Sequence, residues 1–144
     1  MPKRNPYRVL FLCTGNACRS QMAEGWARQL HGDRIQAMSA GVAPHGLDPL
    51  AVEVMREAGV DISGQRSEPV DAYLDPPPDL VVTVCDRAAE ACPVFPAAVR
   101  SVHHGFADPP RLAQTLPDDR RLEPYRRVRD EIRDFVATLP ELLG

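Results

Sequence analysis

Apolar residues fall along the chain in two alternating patterns. Short apolar runs are typical of strands buried on both faces of a parallel sheet, and the clearest of them are Tyr7–Leu12 and Leu80–Val84. Between such runs, apolar residues recur every three or four positions, which predicts helices. Strands that alternate with helices predict a single-domain α/β fold, with a parallel sheet of about four strands covered by helices on both faces. The other predicted strands are Ile35–Ala40 and Val99–His104.

Capping residues, glycines and prolines set the bounds of the predicted helices. Asp48 is an N-cap residue followed by proline at the first helical position, and Gly59 is a typical helix stop. Ser63–Asp79 and Asp108–Pro124 are rich in prolines and turn formers, so both are predicted as loops, the first with one helical turn over Ser67–Tyr73. The predicted helices run from Ser20 to Gly32, from Asp48 to Gly59, from Asp86 to Pro93 and from Glu123 to Leu139.

Length and composition narrow the classes of function. The chain has 144 residues, which predicts one domain over residues 1–144. Its formal net charge is -3, which gives no reason to expect nucleic acid as a partner. No apolar run approaches the ~20 residues of a membrane span, and Met1–Arg8 lacks the apolar region of a secretory signal. We therefore expect a cytoplasmic protein, whose cysteines are reduced and are catalytic, redox-active or metal-binding.

The residues between the first predicted strand and helix form a candidate anion site, which we call the cradle (residues 13–20). Backbone N–H groups at a helix start are unpaired and carry partial positive charge, so a loop curled there can bind a tetrahedral anion. Gly15 and Asn16 tolerate the backbone angles of such a curl, and the Arg19 guanidinium matches two oxygens of an oxyanion. The cradle residues are Cys13, Thr14, Gly15, Asn16, Ala17, Cys18, Arg19 and Ser20.

Cys13 is the candidate nucleophile of this site. It ends the first predicted strand, so its sulfur would point into the cradle. Thiols at a helix N-terminus beside a cation are largely ionised at neutral pH, and Ser20 could donate a further hydrogen bond to the sulfur. The alternative is a small buried cysteine beside an ordinary helix cap, but the strand, the Gly-Asn pair and the helix together favour the nucleophile. Cys18 is predicted to be tolerated rather than essential.

Cys85 and Cys92 form a second candidate group. Cys85 ends a buried strand, which would bring it to the same carboxyl edge of the sheet as Cys13. Seven helical steps separate the pair by about 10 Å, whereas a disulfide needs Cα atoms roughly 4.4–6.8 Å apart. The segment could therefore be a redox switch, helical when reduced and looped when oxidised. The alternatives are two small buried hydrophobic residues or a metal site, although the Cys-x2-4-Cys spacing of zinc sites is missing.

Asp108 is the candidate general acid. Breaking a bond to an oxyanion requires a proton for the departing oxygen, and a carboxylic acid on a loop can supply it. Asp108 follows a predicted strand, and Pro109 holds it extended. The alternative is an ordinary Asp-Pro turn. Asp118 and Asp119 lie in a more solvated stretch and rank lower, and no chemistry is assigned to the histidines at the end of the strand.

Four segments together resemble a known family. Val9–Gly25 resembles the phosphate-loop signature of the low-molecular-weight phosphotyrosine phosphatase fold, and is most similar to the thioredoxin-coupled arsenate reductases of that fold. Cys-x5-Arg-Ser alone would indicate only the fold, so the Cys85/Cys92 pair is the specific part. The other resembling segments are Val81–Cys85 with Cys92-Pro93, Gly105–Pro109 and Arg127–Ile132.

The resemblance implies a complete reaction. Cys13 attacks arsenate, which the cradle and Arg19 hold, and Asp108 protonates the departing hydroxyl. Cys85 attacks the sulfur of Cys13 and releases arsenite, and Cys92 then attacks Cys85 and leaves a Cys85–Cys92 disulfide. Thioredoxin reduces that disulfide. Phosphate and sulfate are expected as competing oxyanions, and the protein is expected to be a monomer. A net two-electron reduction needs a second thiol beside Cys13, and recycling through an accessible disulfide needs a third.

The resemblance also raises the question of a potassium ion. Some relatives bind potassium near the cradle through residues that match Asn16 and Glu24, with Ser39 nearby and further residues in the stretch 65–68. Arg66 places a cation in that stretch. We therefore expect no tightly bound cofactor and no metal site.

Two other functions use parts of the same residue set. A phosphotyrosine phosphatase would need Cys13, Arg19 and Asp108 alone, but phosphatases of this fold usually carry tyrosines directly after Asp-Pro. Here Pro110 and Arg111 follow, and the Cys85/Cys92 pair would be surplus. The cradle would also suit a non-catalytic protein that binds oxyanions or arsenite, but such a protein would not need an activated nucleophile and a general acid.

Overall fold

The computed structural model describes residues 6–86, 94–95 and 99–143. Within this part of the chain, four strands form one parallel sheet in the order β2-β1-β3-β4. The central strand β1 pairs on both sides, with Leu12 opposite Ala40 of β2 and Thr83 of β3. The predicted α/β class is therefore confirmed. The strands are β1 (Tyr7–Cys13), β2 (Ile35–Gly41), β3 (Leu80–Thr83) and β4 (Ser101–His103).

Five α-helices accompany the sheet in the described residues. The Asp48 carboxylate accepts a hydrogen bond from the Leu50 N–H and caps α2, and Gly59 follows that helix with a positive φ of 84°. Both predicted signals are thus confirmed. The helical turn predicted within Ser67–Tyr73 is also present, as a 3-10 turn over Val70–Tyr73. The helices are α1 (Arg19–His31), α2 (Pro49–Glu57), α3 (Pro109–Ala113), α4 (Leu122–Ala137) and α5 (Pro140–Leu143).

Alternating side chains of β1 pack into two apolar clusters, one on each face of the sheet. Val9 and Phe11 belong to the larger cluster, which includes residues of α1, α2 and α4, whereas Leu10 and Leu12 belong to the smaller one, beside the 3-10 turn Val70–Tyr73 and Phe95. All four side chains are fully buried, and each such burial contributes about 1.5–3 kcal/mol. Burial on both faces explains why β1 is a continuous apolar run rather than an alternating one.

The predicted loop Asp108–Pro124 is wrong in part, because the structure contains α3 and a 3-10 turn over Asp118–Arg120 there. Prolines are compatible with the first turn of a helix, so Pro109 and Pro110 begin α3 instead of excluding it. The strand predicted over Val99–His104 is shorter, and the helix predicted from Asp86 to Pro93 lies largely outside the described residues. None of the described helices is both long and apolar enough to span a membrane.

Candidate active site

The cradle curls between the end of β1 and the start of α1. Asn16 has a φ of 48° and a fully buried side chain, which confirms the expectation for this residue. Its Oδ1 accepts a hydrogen bond from the Glu68 N–H (2.7 Å), and its Nδ2 donates to Ser20 Oγ (2.8 Å). The amide thus holds the left-handed turn from both sides, which offsets the cost of that conformation in a residue with a side chain.

Gly15 serves the cradle differently from the expectation. Its φ does not lie in the left-handed region, so the curl does not depend on its backbone freedom. Instead, a Cβ at Gly15 would lie 3.0 Å from Nδ1 of His45. The glycine therefore permits the imidazole ring to pack directly on the cradle backbone.

Hydrogen bonds from outside the cradle hold its carbonyl groups. Because the N–H and C=O groups of a planar peptide point in opposite directions, carbonyls bound from outside turn the following N–H groups toward the pocket. This arrangement supplies the donors that an oxyanion needs. The backbone bonds are Ala43 N–H to Thr14 O (3.0 Å), His45 N–H to Gly15 O (2.9 Å) and Asp48 N–H to Ala17 O (2.9 Å).

Cys13 lies at the base of the pocket with 2% of its surface exposed and a free thiol. Its Sγ is 2.9 Å from Ser20 Oγ. Since Asn16 donates to the same oxygen, the hydroxyl hydrogen of Ser20 is available to the sulfur. The predicted hydrogen bond from Ser20 to the nucleophile is therefore compatible with this network.

Arg19 and Asp108 come together over the cradle. The buried guanidinium donates from Nη1 to the Phe106 carbonyl (3.2 Å), and its Nη2 lies 3.7 Å from Asp108 Oδ1. Asp108 precedes α3 at the N-cap position, yet its side chain does not cap that helix. The carboxylate is instead oriented towards Arg19, and both residues line a pocket of about 260 Å³ with Cys13.

Cys18 shares the cradle but differs chemically from a nucleophile. Its thiol is free and buried. Burial, and then the nearby carboxylates of Asp48 and Asp108, raise the pKa of Cys18 well above its ordinary value, against a smaller lowering by Arg19. Cys18 therefore stays a neutral thiol at neutral pH, and its secondary role stays a prediction.

Cys85 reaches the same edge of the sheet as Cys13. The Val84 N–H donates to the Leu12 carbonyl (2.9 Å), so the chain stays paired with β1 up to the residue before Cys85, at the ~4.8 Å spacing of adjacent strands. Cys85 is fully buried in the same apolar cluster as Cys13 and is disulfide-bonded. Cys92, its predicted partner, lies outside the described residues.

Comparison with known proteins places the chain in a family. Residues 8–143 match the low molecular weight phosphotyrosine protein phosphatase family. The chain belongs to that family. An arsenate reductase of Bacillus subtilis is 50% identical over 92% of this chain and 94% of its own. A solved arsenate reductase in a phosphate-binding state superimposes with a TM-score of 0.77, at 30% identity over 96% of this chain and 99% of that one.

The name of a second solved relative includes the electron donor of that relative's reaction. The thioredoxin-dependent arsenate reductase of Corynebacterium glutamicum is 25% identical with a TM-score of 0.66, and the match covers 97% of this chain and 65% of that one. Proteins named arsenate reductases thus resemble this member of the phosphatase family in sequence and in fold.

Three residues at or beside this site had no structural role assigned to them from the sequence. His45 and Pro110 line the pocket with Cys13. The Tyr125 hydroxyl of α4 donates to Asp48 Oδ2 (2.6 Å), and burial together with this bond raises the pKa of Tyr125. His45 follows β2 at the carboxyl edge of the sheet, where ligands bind in such folds, and this position was the signal that could have identified it.

The region matched to a potassium site contains a cationic side chain of the protein itself. The Glu24 carboxylate accepts a hydrogen bond from Ser39 Oγ (2.6 Å) and forms an ion pair with Arg28. Burial raises the pKa of Glu24, while these two partners lower it. The cation that contacts Glu24 is therefore Arg28, although Arg66 lines the same cavity. Among the described residues, no cluster of His, Cys, Asp and Glu is arranged to hold a metal ion.

Proposed function

We propose that this chain reduces arsenate to arsenite, with Cys13, Cys85 and Cys92 as a thiol relay that thioredoxin recycles. The observation that carries the proposal is a free thiol at the base of an anion-sized pocket, with a second, disulfide-bonded cysteine at the neighbouring strand end. Arsenate reductases at 50% and 47% identity over 92% of the chain support the substrate.

The first step forms a bond between sulfur and arsenic. The Cys13 thiolate attacks As(V), the cradle N–H groups and Arg19 hold the remaining oxygens, and a hydroxyl leaves as water with a proton from Asp108. Arg19 Nη2 lies 3.7 Å from Asp108 Oδ1. Both side chains therefore reach the same pocket, which supports one as the oxyanion ligand and the other as the acid. Phosphate and sulfate have the same tetrahedral shape, so they should compete for this site.

The next steps move electrons between sulfur atoms. The Cys85 thiolate attacks Cys13 Sγ, and the pair of the As–S bond stays on arsenic, which leaves as arsenite, As(III). Cys92 then attacks Cys85, which returns Cys13 as a thiolate and leaves a Cys85–Cys92 disulfide. The dithiol of thioredoxin reduces this bond. The shared sheet edge of Cys13 and Cys85 supports the second step.

The proposal is tested by mixing the protein with arsenate, thioredoxin, thioredoxin reductase and NADPH. We expect NADPH oxidation that depends on arsenate and yields one arsenite per NADPH. A protein that hydrolyses p-nitrophenyl phosphate but oxidises no NADPH with arsenate would be a phosphatase, and the reductase proposal would be abandoned.

Replacing Asp108 by asparagine should lower arsenate reduction by roughly 10²-fold, the usual contribution of a general acid. Ester hydrolysis should fall by a similar factor, since both reactions begin with attack of Cys13 and departure of an oxygen. Asp118→Asn is the matched control, because Asp118 pairs with Arg121 on the surface and is not among the residues lining the pocket. Equal rates for the two variants would remove Asp108 from the mechanism.

We also propose that no potassium ion is required, because Arg28 already supplies positive charge beside Glu24. Turnover in potassium chloride and in tetramethylammonium chloride at equal ionic strength should then agree within about twofold, since equal ionic strength keeps the electrostatic screening the same. Arg28→Ala would open the carboxylate to a cation, so potassium should stimulate that variant more than the wild type. A wild type that is inactive without potassium would contradict the proposal.

The setting of the reaction follows from its chemistry. All three thiols come from one chain, so we propose that a monomer is sufficient. A relay that begins with reduced thiols and ends with thioredoxin fits the cytoplasm, where cysteines are kept reduced.

A further inference from the structure

His45 lies in the segment between β2 and α2 and lines the pocket, although it belongs neither to the cradle nor to the segment that carries Asp108. Its side chain is exposed, so it stands at the rim of the pocket rather than at its base. None of the chemical steps proposed above uses its ring.

Two contacts fix this rim residue. The His45 N–H donates to the Gly15 carbonyl (2.9 Å), and backbone bonds of Ala43 and Asp48 hold the segment on either side. The ring packs against Gly15, where an added Cβ would lie 3.0 Å from Nδ1 and 3.3 Å from Cγ. The imidazole therefore has a defined packing position against the cradle backbone, where it forms a wall of the pocket.

The size of the pocket makes this wall important for the choice of substrate. At about 260 Å³, the pocket is smaller than the roughly 300–1,000 Å³ of most small-molecule sites. A tetrahedral oxyanion fits such a volume. A phosphate ester also needs an exit for its organic group, and His45 and Pro110 line the pocket outside the cradle, where this group would pass.

We infer that His45 is a specificity-determining residue, whose seated ring admits free tetrahedral oxyanions and restricts esters with aryl groups. This inference rests on the proposed function, since it explains how a phosphatase-family site would prefer inorganic arsenate. The restriction is steric: it depends on the volume of the ring and not on a hydrogen bond from its nitrogens.

The test uses ester hydrolysis, which needs neither thioredoxin nor Cys85. The specificity constant kcat/KM for p-nitrophenyl phosphate and the inhibition constant of inorganic phosphate are measured together in His45→Ala and His45→Phe. In His45→Ala, kcat/KM for the ester should rise roughly tenfold, as expected for the removal of a steric restriction, and by much more than any change in phosphate affinity. His45→Phe keeps a ring at this position, so its kcat/KM for the ester should equal that of the wild type. Val42→Ala, in the same segment and also exposed, is the control and should resemble the wild type.

Other outcomes would overturn the inference. If His45→Ala weakens phosphate and ester alike and His45→Phe behaves the same way, the ring contacts the oxyanion through its nitrogens. If neither variant changes the ester rate, His45 is not a wall. Failure of the proposed function would appear separately, as absence of arsenate-dependent NADPH oxidation in the wild type while the ester assay still reports on His45.

Discussion

Replacing Cys13 by serine is expected to lower arsenate-dependent NADPH oxidation by at least about 10⁴-fold, the order seen when an enzyme loses its nucleophile. A serine hydroxyl is a much weaker nucleophile than a cysteine sulfur, and the contact with Ser20 Oγ at this position cannot compensate for that difference. Hydrolysis of p-nitrophenyl phosphate should fall as steeply, because the same sulfur begins both reactions. The two assays on one preparation check this prediction.

Cys18→Ser is the matched control, since Cys18 is the second free thiol of the cradle. Its raised pKa keeps it neutral, so its sulfur should not attack, and its backbone N–H remains in the variant. We expect a loss of no more than about tenfold, the scale of a modest packing change transmitted to the site. If Cys18→Ser were the inactive variant and Cys13→Ser retained activity, the roles of the two cysteines would have to be exchanged.

The features that the sequence predicted well depend on neighbouring residues. Asn16 adopts a positive φ, which asparagine tolerates better than most residues with a side chain, and Asp48 caps α2 through the Leu50 N–H two residues on. The position of the cradle could be predicted for the same reason, because the apolar strand, the Gly-Asn turn and the helix are adjacent in the sequence. Such signals need no knowledge of distant parts of the chain.

The features that were missed depend on residues far apart in the sequence. The contact between Gly15 and His45 joins segments that are brought together only when β1 and β2 pair. The bond from Tyr125 to Asp48 spans 77 residues, and the sequence around Tyr125 gives no sign of so distant a hydrogen-bond partner. Likewise, Pro109 and Pro110 looked like loop residues because the tertiary packing that stabilises the short helix α3 was not visible in the sequence.

Replacing Cys85 by serine should abolish coupled arsenate turnover, while ester hydrolysis stays within about threefold of the wild type. Without the second thiol, the sulfur–arsenic adduct on Cys13 has no partner for thiol exchange, so arsenic cannot receive its two electrons. Ester hydrolysis needs only water after the first step, and Cys85 takes no part in it. The measurement compares NADPH oxidation with release of p-nitrophenol. Turnover equal to the wild type would exclude the thiol relay.

Cys92→Ser separates the relay from a simple two-thiol reaction. Cys13 and Cys85 can still form a disulfide in this variant, so each chain should release one arsenite in the first round and then stop. Both sulfurs of that disulfide come from residues that are buried in the described structure, which should hinder attack by the thioredoxin thiolate. Quantifying arsenite per chain, with no small-molecule thiol present, distinguishes this stalled state from the Cys85→Ser variant, which should release none. Continued turnover of Cys92→Ser with thioredoxin would mean that the reductant reaches the Cys13–Cys85 bond directly, and Cys92 would then not belong to the relay.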